Sequence, residues 1–260
     1  MPVTGYTELS KNTNNRILVV GGYLKDVEII DYGHRAKIAV RPGGSAFNVA
    51  FCLSKLGFKV LFISCFEPGE NREWPFDSLR ANRNCSGGTF VYRGMDVLAV
   101  KRPSLVTLSE EVLSLIGSES FALVYATLEI GLKAAVSVSS LESSAKIVDP
   151  SPQIEFRDIA DLEGFDFIIG NDYMKLREGS AKLIVKASSE GVLYRGKVFP
   201  PPEKGRDKFG SGDLFGAFFS RFLLEGLPVE RAIERAVEES SAYCMTDLPL
   251  PEYAISRIVH

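Results

Sequence analysis

Histidine is almost missing from this chain: His34 and His260 are the only two in 260 residues. A Ser-His or Cys-His relay and a polyhistidine metal site are thereby effectively excluded. Cysteine is scarce too. Cys52, Cys65, Cys85 and Cys244 form no CxxC pair, and two of them lie in apolar segments, as small core residues do. That usage leads us to expect a reduced, cytoplasmic setting. No apolar run is long enough to span a bilayer, and no secretory-type apolar segment is present. Excess positive charge is lacking as well. Against 33 Asp and Glu stand 30 Lys and Arg, a formal net charge of −3, so no overall field gathers nucleic acid or anionic lipid. Two nucleotide-binding signatures are absent: GxxxxGK[ST] occurs nowhere, and no GxGxxG follows Gly21-Gly22. The second absence argues against a nicotinamide-dependent oxidoreductase.

What is present suits one α/β domain. With 45% hydrophobic and 24% charged residues the chain can bury a full core. Residues 1–15 are polar and read as a flexible tail, leaving residues 16–260 as a single domain. The apolar run 16–22, ended by glycines, predicts a buried strand. Residues 26–31 and 35–41 predict two more strands, and 45–56 a helix that stops at Gly57. A strand follows at 59–65, then a hairpin over 89–93 and 96–101. Helices near 109–116 and 130–138 alternate with strands at 121–126 and 146–148. A weak helix over 156–162 leads to strands at 165–169, 182–186, 192–194 and 198–199. The tail reads as three helices, 211–225, 229–243 and 251–259. This alternation implies crossover units and a mainly parallel sheet flanked by helices. The β-rich pieces 23–41 and 89–102 do not fit that alternation. They predict either a small separate sheet over the active edge or extra edge strands.

The most informative segment is Asp207-Lys-Phe-Gly-Ser-Gly-Asp-Leu-Phe-Gly216. Its glycines permit close backbone approach, and a helix begins directly after them. A helix N-terminus offers unpaired N–H groups and the positive end of a dipole, which suit phosphate oxygens. Asp213 in the first turn could take a proton from an attacking hydroxyl beside such an anion. The plainer role for Asp213 is a stabilising first-turn acid.

Asp207-Lys-Phe-Gly-Ser-Gly-Asp213 resembles the DTxGxGD motif of the ribokinase-like (PfkB) carbohydrate kinases. Two further pieces resemble the family in order: Gly43-Gly-Ser-Ala-Phe-Asn48, and Val19-Val-Gly-Gly-Tyr-Leu-Lys-Asp26. The resemblance implies a ribokinase-like α/β fold with a small β-lid built from residues 23–41 and 89–102. It implies ATP-dependent phosphoryl transfer to a sugar, a polyol such as inositol, or a nucleoside, with Mg2+ and optionally a monovalent cation. By position, Asp213 would be the base, and Gly210, Ser211 and Gly212 the anion hole. Asp207 would help organise the phosphates, with Lys208, Asn171, Lys186 and Gly191 around the nucleotide. Asp26, Gly43, Gly44 and Asn48 would hold the acceptor. The metal ligands stay unassigned, and the lid would serve a homodimer; neither nucleic acid nor membrane is expected as a partner. Taken singly, Gly43-Gly44 could be a simple turn, Asp26 a turn cap and Asn48 an exposed helical residue.

Three departures from the family stand out. The NxxE motif reads Asn171-Asp-Tyr-Met174, without its glutamate. The TxGxxG strand end reads Lys186-Ala-Ser-Ser-Glu-Gly191, and Lys208 replaces the threonine of DTxGxGD. The stretch from Asn171 to Lys182 is short for the family. Carboxylate is lost and ammonium gained around the phosphates, so either Lys186 and Lys208 partly replace a metal-supported contact, or both point to solvent and the metal site is degenerate. The same departures leave open a non-catalytic ligand-binding protein of the same fold.

Overall fold

The computed structural model describes residues 16–150, 162–171 and 182–256. Strand β1 (Arg16–Val20) lies inside a nine-stranded sheet, with two strands on one side of it and six on the other. On one side it pairs in parallel with β4 (Lys59–Ser64), which pairs with β5 (Asp77–Arg80). On the other side come β8 (Phe121–Thr127), β9 (Ser143–Asp149), β10 (Phe167–Asn171) and β11 (Leu183–Lys186), all parallel. The hairpin of β12 (Val192–Tyr194) and β13 (Lys197–Phe199) closes that edge antiparallel. The chain leaves β1 toward one side and later returns to the other. That reversal opens a crevice beyond the carboxyl ends of the central strands, where open α/β sheets bind ligands.

The strands read as unbroken apolar runs because both faces are covered. Ile17 and Val19 face one core with helices α1 (Ser45–Lys55), α4 (Ser211–Leu224), α5 (Val229–Cys244) and α6 (Leu250–Ser256). Leu18 and Val20 face the other, beneath α2 (Glu110–Gly117) and α3 (Gly131–Ser139). This odd–even split is the period-2 alternation of a strand.

The β-rich pieces form a separate four-stranded sheet in the order β3, β2, β6, β7: β2 is Leu24–Tyr32, β3 Arg35–Gly43, β6 Gly88–Arg93 and β7 Asp96–Lys101. Its hairpins β2–β3 and β6–β7 are antiparallel, and β2 and β6 run parallel. Of the two alternatives open in the sequence, the separate sheet is the one found.

Other expectations needed revision. Strand β5 was not foreseen, because Asp77-Ser-Leu-Arg80 has no apolar run and is ordered by pairing with β4. Strand β9 begins three residues before the expected 146. Cys65 and Cys85, expected as reduced thiols, are instead paired in a disulfide that ties the end of β4 to the segment entering β6. The expected tail at 1–15 and most of the helix over 156–162 lie outside the described residues.

The main core is rich in aromatic contacts along α4. Phe219 is fully buried, edge-on to Phe167 and stacked with Phe215. Phe219→Ala should therefore cost about 3–5 kcal/mol, as for other buried aromatic truncations. Urea unfolding monitored by circular dichroism measures it; a loss under about 1 kcal/mol would mean that α4 is not the backbone of this core.

Candidate active site

Two helices begin at the crevice. Gly44 caps α1 and Gly210 caps α4, with φ of 91° and 85°, a region that L side chains rarely enter. Neither cap supplies a side-chain hydrogen bond to the first-turn N–H groups, and Ser211 N–H donates to the Lys208 carbonyl at 3.3 Å. The two starts are joined through Asp213. Its Oδ1 accepts a hydrogen bond from Ser45 Oγ at 2.5 Å, and its Oδ2 accepts one from Asn48 Nδ2 at 2.7 Å. Ser45 and Asn48 lie three residues apart on one face of α1, so one helical turn presents both donors. A carboxylate has about four acceptor sites, and capacity for a further proton donor remains.

On the lid side stands Asp26 of β2. Its pKa is pushed up to about 7, first by burial and then by the charge of Asp213; Arg41 opposes the rise. Gly43 sits opposite, where any Cβ would collide with the Asp26 carboxylate. Arg41 is held by Glu28 at 2.6 Å. Asp26, Glu28, Arg41, Asn48 and Tyr92 line a cavity of about 460 Å³ under the small sheet. Phe209, next to the α4 cap, closes one wall. Its ring meets Phe90 and Tyr92 of β6 with centroids 5.2 and 5.3 Å apart, so the lid touches the glycine loop directly.

A second cavity, of about 120 Å³, lies on the other side of that loop. Lys186, Gly191, Asp207, Ser211 and Gly212 line it, which brings five of the expected donor-side residues together. Asp207 faces both cavities and accepts a hydrogen bond from Ser188 Oγ at 2.9 Å. Asn171 is the ladder partner of Lys186 on the adjacent strand. Met174 lies outside the described residues.

The two lysines part company. Lys208 Nζ donates to the carbonyls of Thr246 at 2.9 Å and Leu248 at 2.5 Å, and lies 3.9 Å from the centroid of the Tyr243 ring. It caps the carboxyl end of α5, where carbonyls and the helix dipole draw a cation, and it is turned away from the glycine loop. The expectation that Lys208 contacts phosphate is withdrawn on this geometry. Lys186 remains beside the loop: a Cβ on Gly212 would stand 3.1 Å from its Nζ.

Sequence reasoning passed over Ser45, although it sits inside the quoted Gly43–Asn48 motif, one turn from Asn48. It also passed over Asp149, the last residue of β9, whose Oδ2 accepts from Lys186 Nζ at 2.9 Å and from Tyr125 Oη at 3.3 Å. A charged residue directly after a buried parallel strand was the available signal.

Asp26 gives a stability test. Its folded pKa is raised from 3.8 to about 7, so the folded state holds the proton more tightly than the unfolded chain does. Stability from this group is full below pH 4 and is lost as pH rises through about 7. Asp26→Asn should thus gain melting temperature relative to wild type at pH 8 compared with pH 5. A difference between the two proteins that is equal at both pH values would contradict the raised pKa.

No family model and no curated protein sequence matches the chain. Solved structures do. A ribokinase from Thermotoga maritima superimposes with a TM-score of 0.72 at 17% identity, covering 94% of this chain and 98% of that one. Arabidopsis thaliana ribokinase, solved with ribose and ATP, gives 0.68 at 16% identity over 95% and 99%. A Methanocaldococcus jannaschii nucleoside kinase gives 0.65 at 16% over 94% and 98%. At these identities the likeness concerns architecture, and it establishes that this chain has the ribokinase-like fold, β-lid included.

Proposed function

We propose that the chain is a kinase that transfers the terminal phosphoryl group of ATP to a hydroxyl of a small sugar, polyol or nucleoside. The observation that carries this reading is the position of Asp213. It sits in the first turn of α4, gripped by Ser45 and Asn48; Asn48 lines the cavity under the small sheet, and Ser211 and Gly212, just before Asp213, line the second cavity. The acceptor enters under the lid, where Asp26 and Asn48 hold its hydroxyls and Gly43 and Gly44 leave room for them. Asp213 takes the proton of the attacking hydroxyl as the new oxygen–phosphorus bond forms. The bond to the leaving ADP oxygen breaks, and the N–H groups at Gly210–Gly212 meet the negative charge of the moving group. The lid shuts water out while Phe209 keeps it against the glycine loop.

Among the described residues no group of three or more His, Cys, Asp or Glu is placed to hold a metal ion. Mg2+ would accordingly arrive on the triphosphate, with phosphate oxygens and water as its main ligands. A cytoplasmic location stays our proposal, although the reduced thiols expected with it are not found at Cys65 and Cys85. No described helix is long and apolar enough to cross a membrane.

Replacing Asp213 by Asn should lower kcat by about 10²-fold or more, with ATP affinity nearly unchanged, since a positioned base supplies about 10²–10⁴-fold. Steady-state kinetics with the best acceptor from a panel of sugars, polyols and nucleosides reads the effect. Near-wild-type turnover would reduce Asp213 to a first-turn acid.

We also propose a homodimer through the lid. Ile38 and Val40 lie on the outer face of β3, 64% and 61% exposed, while Arg41 turns toward the cavity. Sedimentation equilibrium should show a dimer that Val40→Asp dissociates. A wild-type monomer at all concentrations would oppose this assembly.

A further inference from the structure

At the edge of the donor cavity Lys186 forms a buried charge pair that the phosphoryl-transfer chemistry above does not require. Lys186 and Asp149 are 14% and 5% exposed at their side chains and are joined at 2.9 Å. Tyr125, fully buried, donates to the same carboxylate oxygen. A buried ion pair seldom repays its own desolvation, and apolar residues of equal volume stabilise about as well. Stability therefore does not explain why this pair stands here.

Its position does. Lys186 ends β11 beside the first turn of α4 and lines the donor cavity. Among the described residues its one hydrogen bond goes to Asp149, and an ammonium has three protons to give. The surroundings are acidic. Asp149 feels the charges of Asp213 and Glu129, and the Tyr125 hydroxyl feels all three carboxylates. Burial holds the Asp149 carboxyl up at about 6 even with Lys186 against it. Glu203 and Asp207 also line the pocket, and its other cation, Arg206, is drawn to Asp247; a lysine fixed at the helix start makes the pocket attractive to a triphosphate.

Resting on the donor assignment above, we propose that Lys186, parked on Asp149 and Tyr125, is a built-in cation that binds the terminal phosphates directly and takes over part of the charge neutralisation otherwise left to a divalent ion. The ammonium turns its unused protons to the phosphate oxygens while Asp149 keeps it in place. The chemical class bound is an inorganic polyphosphate group, whatever base it carries.

Calorimetry with tripolyphosphate in EDTA, on the whole chain, tests this. The wild type should bind without any divalent ion. The paired variant Lys186→Met/Asp149→Leu leaves net charge and volume nearly unchanged, so it should keep its urea midpoint. It should nonetheless bind tripolyphosphate at least about tenfold more weakly, the value of one hydrogen bond to a charged group. Adenosine binding should not change. If the paired variant fails to fold, Lys186→Gln, which still donates to Asp149 without the charge, should show the same loss. Equal tripolyphosphate binding by wild type and variant, or no binding by the wild type in EDTA, overturns the proposal. The two readings fail separately. Normal turnover with unaltered tripolyphosphate binding in the variant removes the internal cation and keeps the kinase; the expected loss without any phosphorylated acceptor does the reverse.

Discussion

Everything at this site depends on the grip that α1 keeps on Asp213. Ser45 and Asn48 satisfy one carboxylate oxygen each, across more than 160 residues of chain. The contact locks the starts of α1 and α4 together at the mouth of the crevice. Both helices begin on glycines with positive φ, so their N–H groups converge on the region Asp213 occupies. Loss of either donor would free a carboxylate to swing away from α1 and uncouple the two helix starts. Gly216 extends the same constraint deeper, because a Cβ there would strike the hydroxyl of Tyr125.

Charge is distributed unevenly around that grip. On the acceptor side Asp26 is forced toward its neutral form by burial and by Asp213, and its counter-charge Arg41 is already engaged by Glu28. A carboxyl poised near neutrality can donate or accept, which suits a hydroxyl ligand better than an anionic one. On the donor side the carboxylates are offset by Lys186 and by the dipole of α4. Such a division favours a neutral acceptor under the lid and an anionic donor beyond the loop. The lid itself is held by aromatic contacts of Phe209 and by the tie between Cys65 and Cys85 at the entry to β6.

Much of this was legible in the sequence because the features are local. Gly210 and Gly212 followed by an apolar helix pattern marked the start of α4, and Asp213 fell in its first turn by counting. Alternating apolar runs and helix signals gave the parallel sheet, and two β-rich pieces out of step with that alternation gave the lid. What escaped depends on distant neighbours. The direction of Lys208 is set by the carbonyls of Thr246 and Leu248, just after α5 and some forty residues further on. Cys65 meets Cys85 only because the end of β4 lies beside the start of the lid strand β6. Asp149 carries no motif, and its meaning appears once β11 brings Lys186 against it. Strand β5 has no apolar signal, since only its pairing with β4 makes it a strand.

The most direct measurement is phosphorus NMR of ATP incubated with the wild-type protein and each of a set of free sugars, polyols and nucleosides. With a site that sets a base next to a hydroxyl pocket and an anion pocket, one acceptor class should convert the γ-phosphorus signal into a phosphomonoester signal. ADP should then appear in equal amount, with little inorganic phosphate. ATP left intact with every acceptor, or lost only to inorganic phosphate, would contradict phosphoryl transfer and leave a ligand-binding protein on a kinase fold.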